Sequence, residues 1–248
     1  MKGIDVSVWQ EPSRINYDKL AKEVEFVIIR AGYTGHGTGK SLHKDKHFET
    51  HYNEFTKRGV PVGAYWYSCA VDPTTAKAEA DYFLTLIKGK KFGMPIVMDV
   101  EDEYHQAKAG KQRLTEAVIT FGETIENAGY YFSVYSNQYW FNKHMSLSQL
   151  KRFDLWVANW VAKENPMLGL AGIWQFRSDG RLNGYSGDLD LNRAYKDYPN
   201  IMKVNGLNGY EKPTVGVVRG YGLLFKNDEE RKEFEKILEN YNYRPLEV

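Results

Sequence analysis

At 248 residues the chain can bury a core as one large barrel or sandwich, or as a domain of about 200 residues with an appendage. Its 33 basic and 32 acidic side chains leave a formal charge of +1, so no basic field marks it for nucleic acid or an anionic membrane surface. The single cysteine, Cys69, excludes an intramolecular disulfide, and no stretch approaches the run of about 18 apolar residues that a membrane span needs.

The start Met1 to Asp5 carries charge where a signal peptide needs its apolar run, so synthesis in the cytoplasm is expected. Short β-rich runs then recur at Gly3 to Ser7, Phe26 to Gly32, Val60 to Ser68, Pro95 to Glu101, Tyr131 to Asn137, Leu155 to Trp160, Gly172 to Phe176 and Leu189 to Asn192. Helical periodicity separates the early ones: Asp18 to Val24, Lys44 to Arg58, Thr74 to Lys88 with Thr74 as the expected cap, and Gln112 to Ala128. Strand and helix in alternation imply parallel strands joined by crossovers, hence a closed α/β barrel, with a doubly wound open sheet as the competing fold. After Trp160 the links shorten and lose helical periodicity. From about Asn205 the residues Gly206, Gly209 and Pro213 read as a linker. Strands over Thr214 to Phe225 and a charged helix over Asp228 to Tyr241 would then form a small α+β module, dividing the chain into 1–204 and 205–248.

The fourth strand ends in acid. Side chains alternate along a strand, so Asp99 and Glu101 share one face with Val100 opposed to them. In a barrel that face is the interior, and its upper layer is where barrel chemistry sits. Carboxylates so placed repel, and one should hold its proton and act as a general acid. Asp5 on the first strand and Asp190 on the last fall at equivalent positions, so four acids distant in sequence converge on one pocket. Taken singly, each acid could equally cap a strand or pair with an arginine such as Arg30. The aromatics Tyr65, Tyr135 and Trp174 near strand ends offer stacking faces for sugars, with Asn137, Gln175 and Asn192 as polar partners. His36, His43, His47 and His51 lack zinc-site spacing and read as surface residues, and no metal is expected.

Several ordered blocks carry a resemblance: GIDVS (Gly3 to Ser7) with Trp9 and Gln10, VIIRAG (Val27 to Gly32), VGAY (Val62 to Tyr65), VMDVE (Val97 to Glu101), VYSN (Val134 to Asn137), LWVA (Leu155 to Ala158), IWQ (Ile173 to Gln175) and LDLN (Leu189 to Asn192). Together, from Gly3 to about Tyr195, the chain resembles glycoside hydrolase family 25, the muramidases of bacteria and their phages. Trp66 and Tyr67 depart from the family, which often has His or Phe there. The resemblance implies five β/α units followed by three strands, no cofactor, and hydrolysis of the β-1,4 bond between N-acetylmuramic acid and N-acetylglucosamine in bacterial peptidoglycan. It implies Glu101 as the acid, Asp99 assisting the substrate acetamido group, and Asp5 and Asp190 shaping the pocket. A disulfide-free muramidase with a small appended module looks like a phage endolysin, made in the bacterial cytoplasm and acting on the wall. Two rivals remain at this stage: a metal-dependent hydrolase using the four acids as oxygen ligands, and a wall-binding protein without activity.

Overall fold

The computed structural model describes residues 1–35, 41–212, 214–218 and 221–239; His36, Pro213 and Tyr241 lie outside them. The main sheet strands are β1 (Lys2–Val6), β2 (Phe26–Thr34), β3 (Leu42–Lys44), β4 (Val62–Tyr67), β5 (Ile96–Asp99), β6 (Phe132–Asn137), β7 (Asp154–Ala158), β8 (Ala171–Gly180) and β9 (Leu189–Ala194). Eight of them close a ring in the order β1-β2-β4-β5-β6-β7-β8-β9, with β9 pairing back onto β1. Neighbours in the ring are parallel except at β9, which runs antiparallel to both β8 and β1. Strand β3 folds back on the end of β2 outside the ring.

Helices α1 (Tyr17–Leu20), α2 (Phe48–Thr56), α3 (Pro73–Ile87), α4 (Lys111–Asn127) and α5 (Gln138–His144) occupy the first five crossovers, and the links on either side of β8 carry none. The chain therefore builds an irregular β/α barrel of five β/α units and three further strands. Local chemistry sets the helix starts. Asp72, rather than Thr74, caps α3 by accepting from Thr75 N at 2.9 Å, and Pro73 takes the first helical position, where no N–H is needed. The stretch expected as a helix from Lys44 starts only at Phe48, because Leu42–Lys44 pairs with β2 instead.

Strand alternation sorts the core into two layers. Val27, Ile29, Val62, Ala64, Trp66, Ile96, Met98, Val134, Leu155 and Val157 point outward and bury Phe83, Leu114, Val118, Phe121 and Ile125 of α3 and α4. Those α4 residues recur every three to four positions, which puts them on one stripe. Gly122 lies on that stripe because a Cβ there would come within 2.5 Å of the Phe132 ring. Phe26, Ile28, Val97, Trp156, Ile173 and Ala194 point inward and fill the lower barrel.

The base is closed by α6 (Tyr198–Asn205), whose Tyr198 and Met202 join the inner cluster. Gly206 ends this helix in the left-handed conformation, and the chain then returns to the barrel. Asn208 is fully buried, donating to Met94 O at 2.9 Å and accepting from Tyr131 N at 2.6 Å. Gly206 and Gly209, two of the three expected linker residues, thus flank a residue that is bonded into the barrel floor. Beyond it β10 (Thr214–Val218) and β11 (Tyr221–Phe225) form an antiparallel hairpin followed by α7 (Asp228–Glu239). His51 also departs from expectation: it is fully buried on α2, shares a 2.7 Å hydrogen bond with Tyr17 OH, and burial lowers its pKa to about 4.

Candidate active site

At the carboxyl ends of the parallel strands lies an open cavity of about 340 Å³ into which β1, β4, β5 and β9 deliver Asp5, Tyr65, Tyr67, Asp99, Glu101 and Asp190. Asp190 reaches this end by a route opposite to the others. It sits near the start of the reversed strand β9, where it pairs in register with Asp5 near the end of β1. From the end of β5 the alternation carries on past Asp99, placing Val100 in the outer core while Asp99 and Glu101 both line the cavity.

Asp5 is the most tightly held of the four acids. Its Oδ2 accepts from Gln175 Nε2 at 2.9 Å and from Asn192 Nδ2 at 2.7 Å. Asn192 in turn accepts from Trp156 Nε1 at 2.8 Å, and Gln175 Oε1 accepts from Tyr135 OH and Trp160 Nε1, each at 3.0 Å. Asp99 differs: it is 5% exposed, and its Oδ1 has no hydrogen-bond partner among the described residues. A buried carboxylate oxygen without a donor is costly when charged, which favours the protonated form.

Burial raises all four pKa values. Asp5 is held well above the ordinary carboxylate range by burial and then by Asp190, against the two amide donors. Asp99 is likewise held well above it by burial, then by Glu101 and Asp5, with Arg30 opposing. Glu101 rises to about 7 through burial and then the charges of Asp190 and Glu103. Asp190 rises to about 6 through burial and Asp188. Near neutral pH Glu101 can therefore carry a proton in the cavity, as a general acid must. Arg30, the cation lining the cavity, is anchored by Asp45 at 2.7 Å.

Of the residues expected to meet substrate, Tyr65, Tyr135 and Gln175 line this cavity. Asn137 lines an adjoining one and caps α5, accepting from Trp140 N at 2.9 Å. Asn192 is fully buried beneath the acids and acts on Asp5. Trp174 is a correction. It points outward from β8 into the outer core and donates to Asn159 O, because the inward positions of that strand are Ile173 and Gln175. Trp9 and Trp160, 76% and 57% exposed, stand on the cavity rim instead. Trp9 lies in the loop beyond β1, and Trp160, expected as the last residue of its strand, lies two residues past the end of β7.

Among the described residues the group able to converge on an ion is Cys69, Asp102 and His105, within 4.8 Å of one another. It does not line the cleft. Asp102 Oδ2 already accepts from His105 N at 2.7 Å and bonds its Nδ1 at 2.8 Å, while Cys69 Sγ donates to Thr34 O. The four cleft acids form no such group among the described residues.

A β/α barrel with a proton-holding glutamate in a pocket of acids and aromatics at its carboxyl face defines a barrel hydrolase of the carboxylate type. Residues 4–185 match the family described as "Glycosyl hydrolases family 25", and the chain belongs to that family. It is similar to the autolytic lysozyme of Clostridium acetobutylicum, 29% identical over 192 residues, which cover 77% of this chain and 55% of that protein. It is also similar to lysozyme M1 of Streptomyces globisporus, 26% identical over 208 residues, covering 78% and 67%. The chain thus spans about half the length of the clostridial relative. Among solved structures, a glycosyl hydrolase 25 of Streptococcus pneumoniae, described as a virulence factor participating in host cell invasion, superposes with a TM-score of 0.69 at 25% identity, over 82% of this chain and 91% of that one.

Proposed function

We propose that the chain is a lysozyme-type muramidase that hydrolyses the β-1,4 bond between N-acetylmuramic acid and N-acetylglucosamine in peptidoglycan. The observation that carries this is the pairing of Glu101, with a pKa of about 7, and the unpartnered Asp99 on one face of β5. Glu101 gives its proton to the glycosidic oxygen as the bond to C1 breaks. Two carboxyls two residues apart on one strand approach the sugar from one side, whereas direct displacement needs them across it. The attacking atom is then the substrate's own 2-acetamido oxygen, with the Asp99 carboxylate, which lines the cavity, accepting the acetamido N–H and making that oxygen more nucleophilic. Water opens the resulting oxazolinium ion with Glu101 now as base, and the anomeric configuration is retained. Asp190 supplies negative charge that stabilises the charge developing at C1, and Asp5, fixed by Gln175 and Asn192, shapes the pocket beside it.

Peptidoglycan is accordingly the partner and the cell wall the place of action. Relatives named as lysozymes, one of them autolytic, support this reading. A role like that of a phage endolysin, with the segment beyond 212 as a wall-binding or oligomerising element, fits the same reading. Mass spectrometry of digested walls tests it: muramic acid at the new reducing ends is the expected product. Reducing N-acetylglucosamine or released peptides would refute it.

A further inference from the structure

Arg30 is the one cation that lines the acidic cavity among the described residues, yet its hydrogen bond goes to none of the four acids there. It stands on β2 in register with Tyr65 of β4, and a bulge follows it. Its Nε donates to Asp45 Oδ2 at 2.7 Å, and its guanidinium lies over the Tyr33 ring at 5.1 Å. The two terminal nitrogens make no hydrogen bond among the described residues. Asp45 does not line the cavity; its side chain is fully buried between β3 and α2. Backbone groups fix it there. Its Oδ2 also accepts from Val8 N at 3.0 Å, its Oδ1 accepts from His47 N at 2.9 Å, and its own N donates to Ala31 O at 2.9 Å. The charge so held acts on Asp99, whereas Glu101 answers to burial, Asp190 and Glu103.

We propose that Asp45 is a positioning residue for the reaction, holding Arg30 by one nitrogen so that its guanidinium serves Asp99, rather than Glu101, as a fixed counter-charge. The proposal rests on the muramidase reading and says what separates the two carboxyls. They share one face and need opposite states: Glu101 must keep its proton, and Asp99 must be charged to draw on the acetamido N–H. The surroundings of Asp99 work against its charge. Burial, Glu101 and Asp5 press it toward the protonated form, and the phenols of Tyr65, Tyr67 and Tyr135 are uncharged because burial raises their own pKa values. The opposing charge is Arg30. A guanidinium on a free stem would settle as readily on Glu101 or Asp190, and on Glu101 it would drive off the proton that the leaving oxygen needs. Anchoring at Nε removes that freedom and leaves the terminal nitrogens for the cavity side. Since backbone donors fix the anchor itself, the arrangement exists before substrate arrives.

The test uses the full chain and solubilised peptidoglycan glycan, with kcat and KM read separately. Asp45→Asn should lower kcat roughly tenfold with KM little changed, the least that a neighbouring guanidinium does for the charged fraction of a carboxylate. Arg30→Gln, which leaves the backbone bonds of Asp45 in place, should do the same at the parent Tm. Because Asp45 acts through Arg30 on Asp99, Asp45→Asn should cost less than about twofold where Arg30→Gln or Asp99→Asn is already present. A merely structural role would lower kcat by the same factor in all three backgrounds; that result overturns the proposal, as does a loss confined to KM. Should Asp45→Asn fail to fold, Arg30→Gln decides alone: parental kcat in that variant refutes the role, and a tenfold loss at the parent Tm upholds it. If the parent protein frees no muramic acid reducing ends, the role falls together with the muramidase reading. Reducing muramic acid from the parent, with Arg30→Gln at parental kcat, defeats the positioning role alone.

Discussion

Glu101 has to hold a proton when substrate arrives, and burial beside Asp190 lets it do so up to about pH 7. Wall lysis should therefore fall as pH rises through about 7, a limb read directly from kcat/KM against pH. Glu101→Gln keeps the shape and loses the proton, so lysis should drop by roughly 10²–10⁴ while glycan binding persists. Near-parental lysis would move the acid to another side chain. If Asp99 works through the acetamido group, glycan de-N-acetylated at muramic acid should be barely cleaved and the first product seen by NMR should be the β-anomer. Brisk cleavage or an initial α-anomer would refute that role. Asp99 also carries a stability cost. Its folded pKa is raised, so its contribution is fully present below the unfolded carboxylate value and is lost as pH rises through the folded one. Asp99→Asn should raise stability near pH 8 by roughly 1 kcal/mol as it lowers lysis, a trade common at active sites. A lower Tm would contradict this. All four acids were legible in the sequence because strand periodicity fixes which side chains share a face. Trp174 was misread for the same reason: a residue near a strand end was taken as facing in, without asking which parity the inner positions of β8 keep.

Elements were legible in proportion to their periodicity. The eight ring strands and the long helices α3 and α4 announce themselves through runs and three-to-four spacing. Strand β3 and helices α5 and α6 do not, being three, seven and eight residues long and held by pairing or caps made elsewhere in the fold. The return of 206–210 to the barrel was illegible because Gly206 and Gly209 look like a linker, while the decisive residue, Asn208, works through contacts 77 and 114 positions away. Asn208→Ala should cost roughly 2–3 kcal/mol in urea unfolding, since it strands Met94 O and Tyr131 N in the interior. Cutting after Lys212 should leave a cooperative barrel, whereas cutting before Gly206 should lower its Tm sharply. Equal stability of the two truncations would show that Asn208 holds nothing.

On the scale of the whole molecule, one strand runs against the other seven of the ring, and it is the one that joins both neighbours of the closure. Strand β9 pairs with β8 and β1, fills the last gap and delivers Asp190 and Asn192 together. A fragment ending at residue 186 should lack cooperative unfolding and lysis alike; activity in such a fragment would show that the ring need not close. The bonds on Asp5 span 170 and 187 residues, so closure depends on pairing between distant parts of the chain, the kind that forms slowly. This gives the protein a temporal order. A growing chain makes its acid pair on β5 early, yet the pocket that turns those groups into a catalyst exists only once the final strand has seated. On the muramidase reading, activity would therefore report completion: a turnover would require a closed ring, and the specific activity of a preparation would track its fully folded molecules.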